Sequence, residues 1–260
     1  MNSSLPLMLI PFLFGQAIVN PQPVRHYAYG TDKYQFGELR MPQRSGPVPV
    51  AIVIHGGCWM AEYDLEYMTP FSEALTAAGI ATWTIEYRRI GNPGGGMPGT
   101  FDDVEAAAAR LAQLEKEFPL DGKRVVAVGH SAGGQLALWL AAKRGGLRGV
   151  VPIAGVLDLR AATKQGSCQD AAQRLMAPED YSKYSPIEMV PIKTRQILIH
   201  GAQDRHVPVD FSQRYEAAAR KAGDDVSLKV IDGADHFAPI QPATPAFAQV
   251  RDAVLSLVKP

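Results

Sequence analysis

Five short and almost uninterrupted apolar runs, at 48–54, 80–85, 124–128, 149–153 and 196–199, alternate with segments of helical spacing at 65–78, 100–118, 135–143 and 209–222. A strand that is apolar on both faces must be covered on both faces. A helix between successive strands supplies that cover through a right-handed crossover. The alternation therefore predicts an α/β fold, with a mostly parallel central sheet flanked by helices. A last strand is expected at Val226–Ile231 and an amphipathic closing helix at Pro245–Leu257. Ahead of these units, residues 24–41 carry aromatic and β-branched residues interrupted by Gly30-Thr31-Asp32, which reads as an antiparallel hairpin on a sheet edge. Thr100 and Asp103 make an approximate capping box at the start of the second helix.

No stretch marks a linker between two cores, so residues 21–260 are expected to form one domain. Within it, 157–190 breaks the alternation, carries Cys168, Met176 and several prolines, and is expected to sit above the sheet as a small lid. The glycine-rich 91–96 run lacks the Lys and Ser/Thr of a phosphate-binding loop and reads as a mobile turn. Lys plus Arg balances Asp plus Glu at 26 each, leaving no basic footprint for nucleic acid. Cys58 and Cys168 lie far apart without metal-ligand spacing, which argues against zinc and against a disulfide framework. Cys58 reads as a small packing residue.

Residues 1–20 contain the apolar run Leu5 to Phe14, followed by Gly15-Gln16-Ala17, a small-x-small cleavage pattern. This reads as a short secretory signal, giving a secreted or periplasmic protein. The alternative is a cytoplasmic protein with a floppy or interfacial N-terminal arm. The run is too short for a stable membrane span.

Gly129-His130-Ser131-Ala132-Gly133 falls between an apolar run and a helix-forming stretch, so the order is strand, sharp turn, helix. Glycines two residues either side of the serine let strand and helix approach closely enough for that turn. A serine hydroxyl at neutral pH is a weak nucleophile and needs a neutral imidazole, itself oriented by a carboxylate. In this arrangement the chain order is serine, acid, histidine. His26 and His55 precede the serine, His130 is its neighbour, and His200 ends a buried strand. His206 is two residues from the acid candidate Asp204, too close to serve as its partner from one loop. His236, between the last strand and the last helix, remains as the base. Asp204 follows the penultimate strand, whereas Asp232 and Asp235 share one short loop with His236. Asp204 is therefore the expected acid. His55-Gly56-Gly57-Cys58-Trp59 ends the first central strand and offers backbone N–H groups of Gly57, with Gly56 or Cys58, to join Ala132 as an oxyanion hole. Trp59 and His130 are candidate substrate-binding residues.

Together these segments resemble the α/β-hydrolase superfamily, in the branch with an H-G-G-x-W loop that includes small carboxylesterases, feruloyl and acetylxylan esterase-like proteins and kynurenine formamidases. Matching features include Ile85-Glu86-Tyr87-Arg88, the glycine-rich 94–99 segment with Thr100, and Gly155-Val156-Leu157-Asp158-Leu159. Met97 stands where esterase-like members carry an aromatic residue. The resemblance covers the chain from about Val24 onward. It implies an α/β-hydrolase fold, Ser131, Asp204 and His236 as the triad, and Gly57, Cys58 and Ala132 as oxyanion donors. The expected activity is hydrolysis of small-molecule carboxylic esters with small to medium acyl groups through an acyl-enzyme, without cofactor or metal. Arylformamide or peptide-like hydrolysis is the alternative. An inactive binding module would have lost the serine or histidine that this chain keeps.

Overall fold

A computed structural model describes residues 23–166, 168–176 and 180–259. An eight-stranded sheet runs in the order β1-β2-β4-β3-β5-β6-β7-β8. The expected hairpin is β1 (Arg25–Ala28) and β2 (Phe36–Arg40), and it occupies one edge. β2 pairs antiparallel with β4 (Ala81–Ile85). From there β3 (Val48–Ile54), β5 (Leu120–His130), β6 (Gly149–Ile153), β7 (Gln196–Gly201) and β8 (Val226–Ile231) pair in parallel.

Along β3, successive side chains enter opposite halves of the core, as the two-residue period of a strand requires. Val50, Ile52 and Ile54 join the cluster that contains α2 (Gly99–Glu117), α3 (Ala132–Lys143) and α7 (Asp210–Lys221). Ala51 and Val53 join the one under α1 (Thr69–Ala77) and α8 (Pro245–Leu257), where Phe71 and Phe247 meet edge to face at 5.6 Å. Every β3 side chain is buried, which is why the run carries no polar alternation. α3 is buried from Ala132 to Ala141, so this helix is apolar on all sides and needs no amphipathic pattern.

The 157–190 region forms short helices, α4 (Leu159–Gln165), α5 (Ala171–Leu175) and α6 (Tyr181–Tyr184), and a 3₁₀ turn at Pro186–Glu188. Leu159, Leu175 and Met176 join the core, while Gln135 Nε2 and Trp139 Nε1 of α3 donate to the carbonyls of Tyr184 and Lys183. No helix among the described residues is long and apolar enough to cross a membrane. The signal-peptide expectation concerns 1–20, which lie outside the described residues.

Two local expectations fail for physical reasons. Thr100 and Asp103 form no capping box: Thr100 Oγ1 donates to the Arg88 carbonyl, and the Asp103 carboxylate accepts from Arg88 N, Nε and Nη2. A buried carboxylate beside an arginine gains more from that fork than from a helix amide. The two cysteines form a disulfide, with Cα atoms 5.4 Å apart across 110 residues of sequence. Sequence distance said nothing about this pairing, because the fold brings the turn between α4 and α5 onto the loop after β3.

Candidate active site

Ser131 joins β5 to α3 with φ 56° and ψ −119°, a region that costs a non-glycine residue about 1–3 kcal/mol. The neighbours overdetermine it. A Cβ on Gly129 would lie 2.0 Å from the Gly133 carbonyl oxygen, and one on Gly133 would lie 2.2 Å from that of Ile54. The Ser131 amide donates to Ile153 O at 2.8 Å, tying the turn to β6. Ala132 opens α3, and the first amides of a helix have no partner within it. The helix N-terminus thus presents donors and a positive dipole end beside the hydroxyl.

The loop after β3 has three consecutive residues with positive φ, Gly57 at 88°, Cys58 at 54° and Trp59 at 57°. Its base is held by Glu86, buried after β4. That carboxylate meets His55 Nε2 at 2.9 Å and accepts from the amides of Leu65 and Tyr87, while the Tyr87 hydroxyl donates to the His55 carbonyl. The His55 ring stacks on Tyr87 with centroids 4.3 Å apart. The Gly56 amide already donates to the Tyr67 hydroxyl. The amides of Gly57 and Cys58 therefore remain as the candidate donors of this loop, with Ala132 opposite. The disulfide makes Cys58 a tether, where a small packing residue was expected.

Across the cavity, the turn after β7 holds Asp204. Its Oδ1 accepts from the amides of His206 and Val207, both at 2.8 Å. Its Oδ2 accepts from His236 Nδ1 at 2.6 Å and lies 3.2 Å from His200 Nε2. Burial raises the affinity of this carboxylate for a proton, but the hydrogen bonds from His200 and His236 outweigh it and hold the group well below the usual carboxylate range. The bond to Asp204 fixes His236 Nδ1 as donor and leaves Nε2 as the nitrogen with a free lone pair. His200, set aside as a base because it ends a buried strand, donates from Nε2 to the Val207 carbonyl at 2.8 Å and also approaches Asp204 Oδ2. Its Nδ1 is met by Ser212 Oγ at 2.8 Å.

His130 carries the link between the two sides. Its Nε2 lies 3.0 Å from the His236 carbonyl, so that nitrogen donates, and its Nδ1 is 3.1 Å from the Tyr67 hydroxyl and accepts. Burial and the nearby His236 push its pKa down to about 3, so the ring stays neutral. Burial also keeps the Tyr67 hydroxyl protonated. A continuous path of Gly56 N–H, Tyr67, His130 and the His236 backbone spans the site. Tyr67 was invisible in the sequence, because only the tertiary fold brings α1's leading turn to the elbow.

Ser131, His130 and His236 line one cavity of about 740 Å³, together with Gly57 and Cys58 and with Gly166, Cys168 and Gln169 from the 157–190 region. Asp204 stands behind His236. Of the two candidate substrate contacts, His130 lines the cavity but has both ring nitrogens committed. Trp59 does not line it: its side chain is fully buried, and Nε1 donates to Gln135 Oε1 at 3.0 Å. An indole with its N–H satisfied inside the core is a packing residue, which corrects that expectation.

Residues 38–218 match the family described as BD-FAE. The chain belongs to the BD-FAE family. Its fold is that of the carboxylesterase-like α/β-hydrolases. Esterase B from Lactobacillus rhamnosis (HN001) superposes with a TM-score of 0.80 at 19% identity, covering 91% of this chain and 86% of that one. A truncated form of a carbohydrate esterase from gut microbiota gives 0.78 at 19% identity, covering 92% and 97%. In sequence, the chain is 23% identical over 245 residues to a probable isoprenylcysteine alpha-carbonyl methylesterase of Oryza sativa subsp. japonica. The match covers 83% of this chain but spans only 58% of that relative's length.

Proposed function

We propose that this BD-FAE member is a serine hydrolase of carboxylic esters with small to medium acyl groups. Ser131 is the nucleophile, His236 the general base and acid, and Asp204 the group that orients the imidazole. The observation that carries this reading is the 2.6 Å contact of Asp204 with His236 Nδ1, made on a cavity that the strained Ser131 shares. His236 Nε2 accepts the Ser131 proton as Oγ attacks the ester carbonyl. The developing oxyanion is met by the amides of Ala132, Gly57 and Cys58, donors of a kind each worth about 3–4 kcal/mol in the transition state. His236 returns the proton to the leaving alcohol, and water then cleaves the acyl-enzyme by the same route in reverse. A cavity of about 740 Å³ suits a ligand of medium size. Relatives named as esterases support the same chemistry.

A fluorophosphonate probe and a p-nitrophenyl short-chain ester test it. Wild-type protein should be labelled, while Ser131→Ala should resist labelling and lose about six orders of magnitude in kcat. Near-wild-type turnover by that variant ends the proposal. Running N-formylkynurenine beside phenyl acetate separates ester from formamide preference. Export to an oxidising compartment is also proposed, on the 1–20 sequence pattern and on the Cys58–Cys168 disulfide, a bond that persists outside reducing cytosol. N-terminal sequencing of the mature protein should find cleavage near Ala17.

A further inference from the structure

Arg205 is the residue after the proposed acid, and the catalytic reading gives it no task. It follows Asp204 in a turn whose ends are pinned, since Asp204 Oδ1 takes the amides of His206 and Val207. Its side chain is exposed and lines the cavity that holds Ser131 and His236. Histidines aside, it is the one charged side chain to do so among the described residues. It also lines an adjoining cavity of about 320 Å³ that shares His206, His236 and Phe237 with the first. Asp235, the acidic residue of that second cavity, already spends Oδ1 on the amides of Phe237 and Ala238. Other arginines near the site are forked onto carboxylates, Arg88 on Asp103 and Arg214 on Asp158 and Asp210. Arg205 makes no ion pair among the described residues. Much of the rest of the wall is apolar or aromatic, with Met60, Pro70, Phe237 and Ile240 prominent, and the uncharged amides of Gln169 and Gln241 also line it. Such a cleft presents one cation at the edge of an apolar channel that ends at the nucleophile.

We propose that Arg205 selects esters that carry a carboxylate on the acyl or the alcohol part, binding that anion while the apolar wall takes the body of the substrate. The inference rests on the ester-hydrolase reading and names its substrate class. A guanidinium matches a carboxylate in two parallel hydrogen bonds, which gives orientation as well as attraction. An exposed contact of this kind adds up to about fivefold in affinity and weakens with salt.

Calorimetric binding to Ser131→Ala tests the proposal without requiring turnover. Monophenyl succinate carries the acid on the acyl side and 4-acetoxybenzoate carries it on the alcohol side, and each has its neutral methyl ester as control. At least one acid should bind about two- to fivefold more tightly than its methyl ester. That advantage should vanish in Ser131→Ala/Arg205→Gln and shrink at about 0.5 M salt. Equal binding of acids and methyl esters, or an advantage that survives Arg205→Gln, overturns the inference. Wild-type turnover of methyl 4-acetoxybenzoate without any preference for the acids sinks this inference alone. Failure of wild-type protein to cleave any of the esters sinks the reading beneath it.

Discussion

The two loops that face each other across Ser131 are built by different physics. On the proposed oxyanion side, residues 55–60 have three successive positive φ values, a buried carboxylate bracing their base, and a disulfide to Cys168. On the proposed acid–base side, Asp204 and His236 are held by hydrogen bonds alone, to each other, from two turn amides and from His130 to the His236 carbonyl. Backbone dipoles that stabilise a developing charge work best when they do not reorganise, so a covalent tether suits them. Groups that exchange protons need the correct tautomer and orientation, which directional hydrogen bonds supply. The first side should therefore be vulnerable to reduction and the second to loss of hydrogen-bond partners and to acid.

The largest effect is expected on the hydrogen-bonded side. Asp204→Asn keeps the shape but presents an amide to His236 Nδ1 and His200 alike, favouring the wrong tautomer. Turnover of a p-nitrophenyl ester should fall about 10⁴-fold with little change in thermal stability. A loss below tenfold would place the orienting charge elsewhere. On the tethered side, Cys168→Ser opens a cross-link spanning 110 residues and should lower the unfolding free energy by about 2–4 kcal/mol. Denaturation of wild-type protein with and without a phosphine reductant should reproduce that loss. An unchanged transition under reduction would mean that the tether carries no stability.

The smallest effect sharpens the acid side. Folded His130 stays neutral down to about pH 3, whereas in the unfolded chain it takes up a proton near pH 6.5. A histidine whose pKa is lowered by folding contributes stability that is complete above about pH 6.5 and is lost as pH falls from there towards 3. His130→Gln keeps one donor and one acceptor without the titration. Between about pH 6 and 4, wild-type stability should decline more steeply than the variant's by up to about 1.4 kcal/mol per pH unit, read from urea unfolding. Parallel declines would remove His130 from the acid response.

Much of the scaffold was legible before any coordinates. Pro245–Leu257 was bounded correctly because a proline at the first turn and an amphipathic repeat mark a helix locally. β5 was underestimated at 124–128, since its leading residues, Leu120 to Lys123, extend the strand through a register irregularity with β3. Thr100 and Asp103 misled for the same reason in reverse, because a local capping pattern was overridden by a partner at Arg88. Tyr67, His200 and the Cys58–Cys168 pair left no local signal, because each acquires its partner through space.

By itself the sequence determined the layer architecture and the serine turn, and it singled out Asp204 and His236 as candidates, since these follow from short-range patterns of apolarity, glycine and chain order. Only the tertiary structure decided that Trp59 is core and that Gly56 is spent on Tyr67. It also decided that His130 bridges the two sides and that Arg205 alone brings a fixed charge to the cavity wall among the described residues. Which group a buried donor or acceptor finds depends on the geometry of the assembled sheet, and a linear pattern does not encode that geometry.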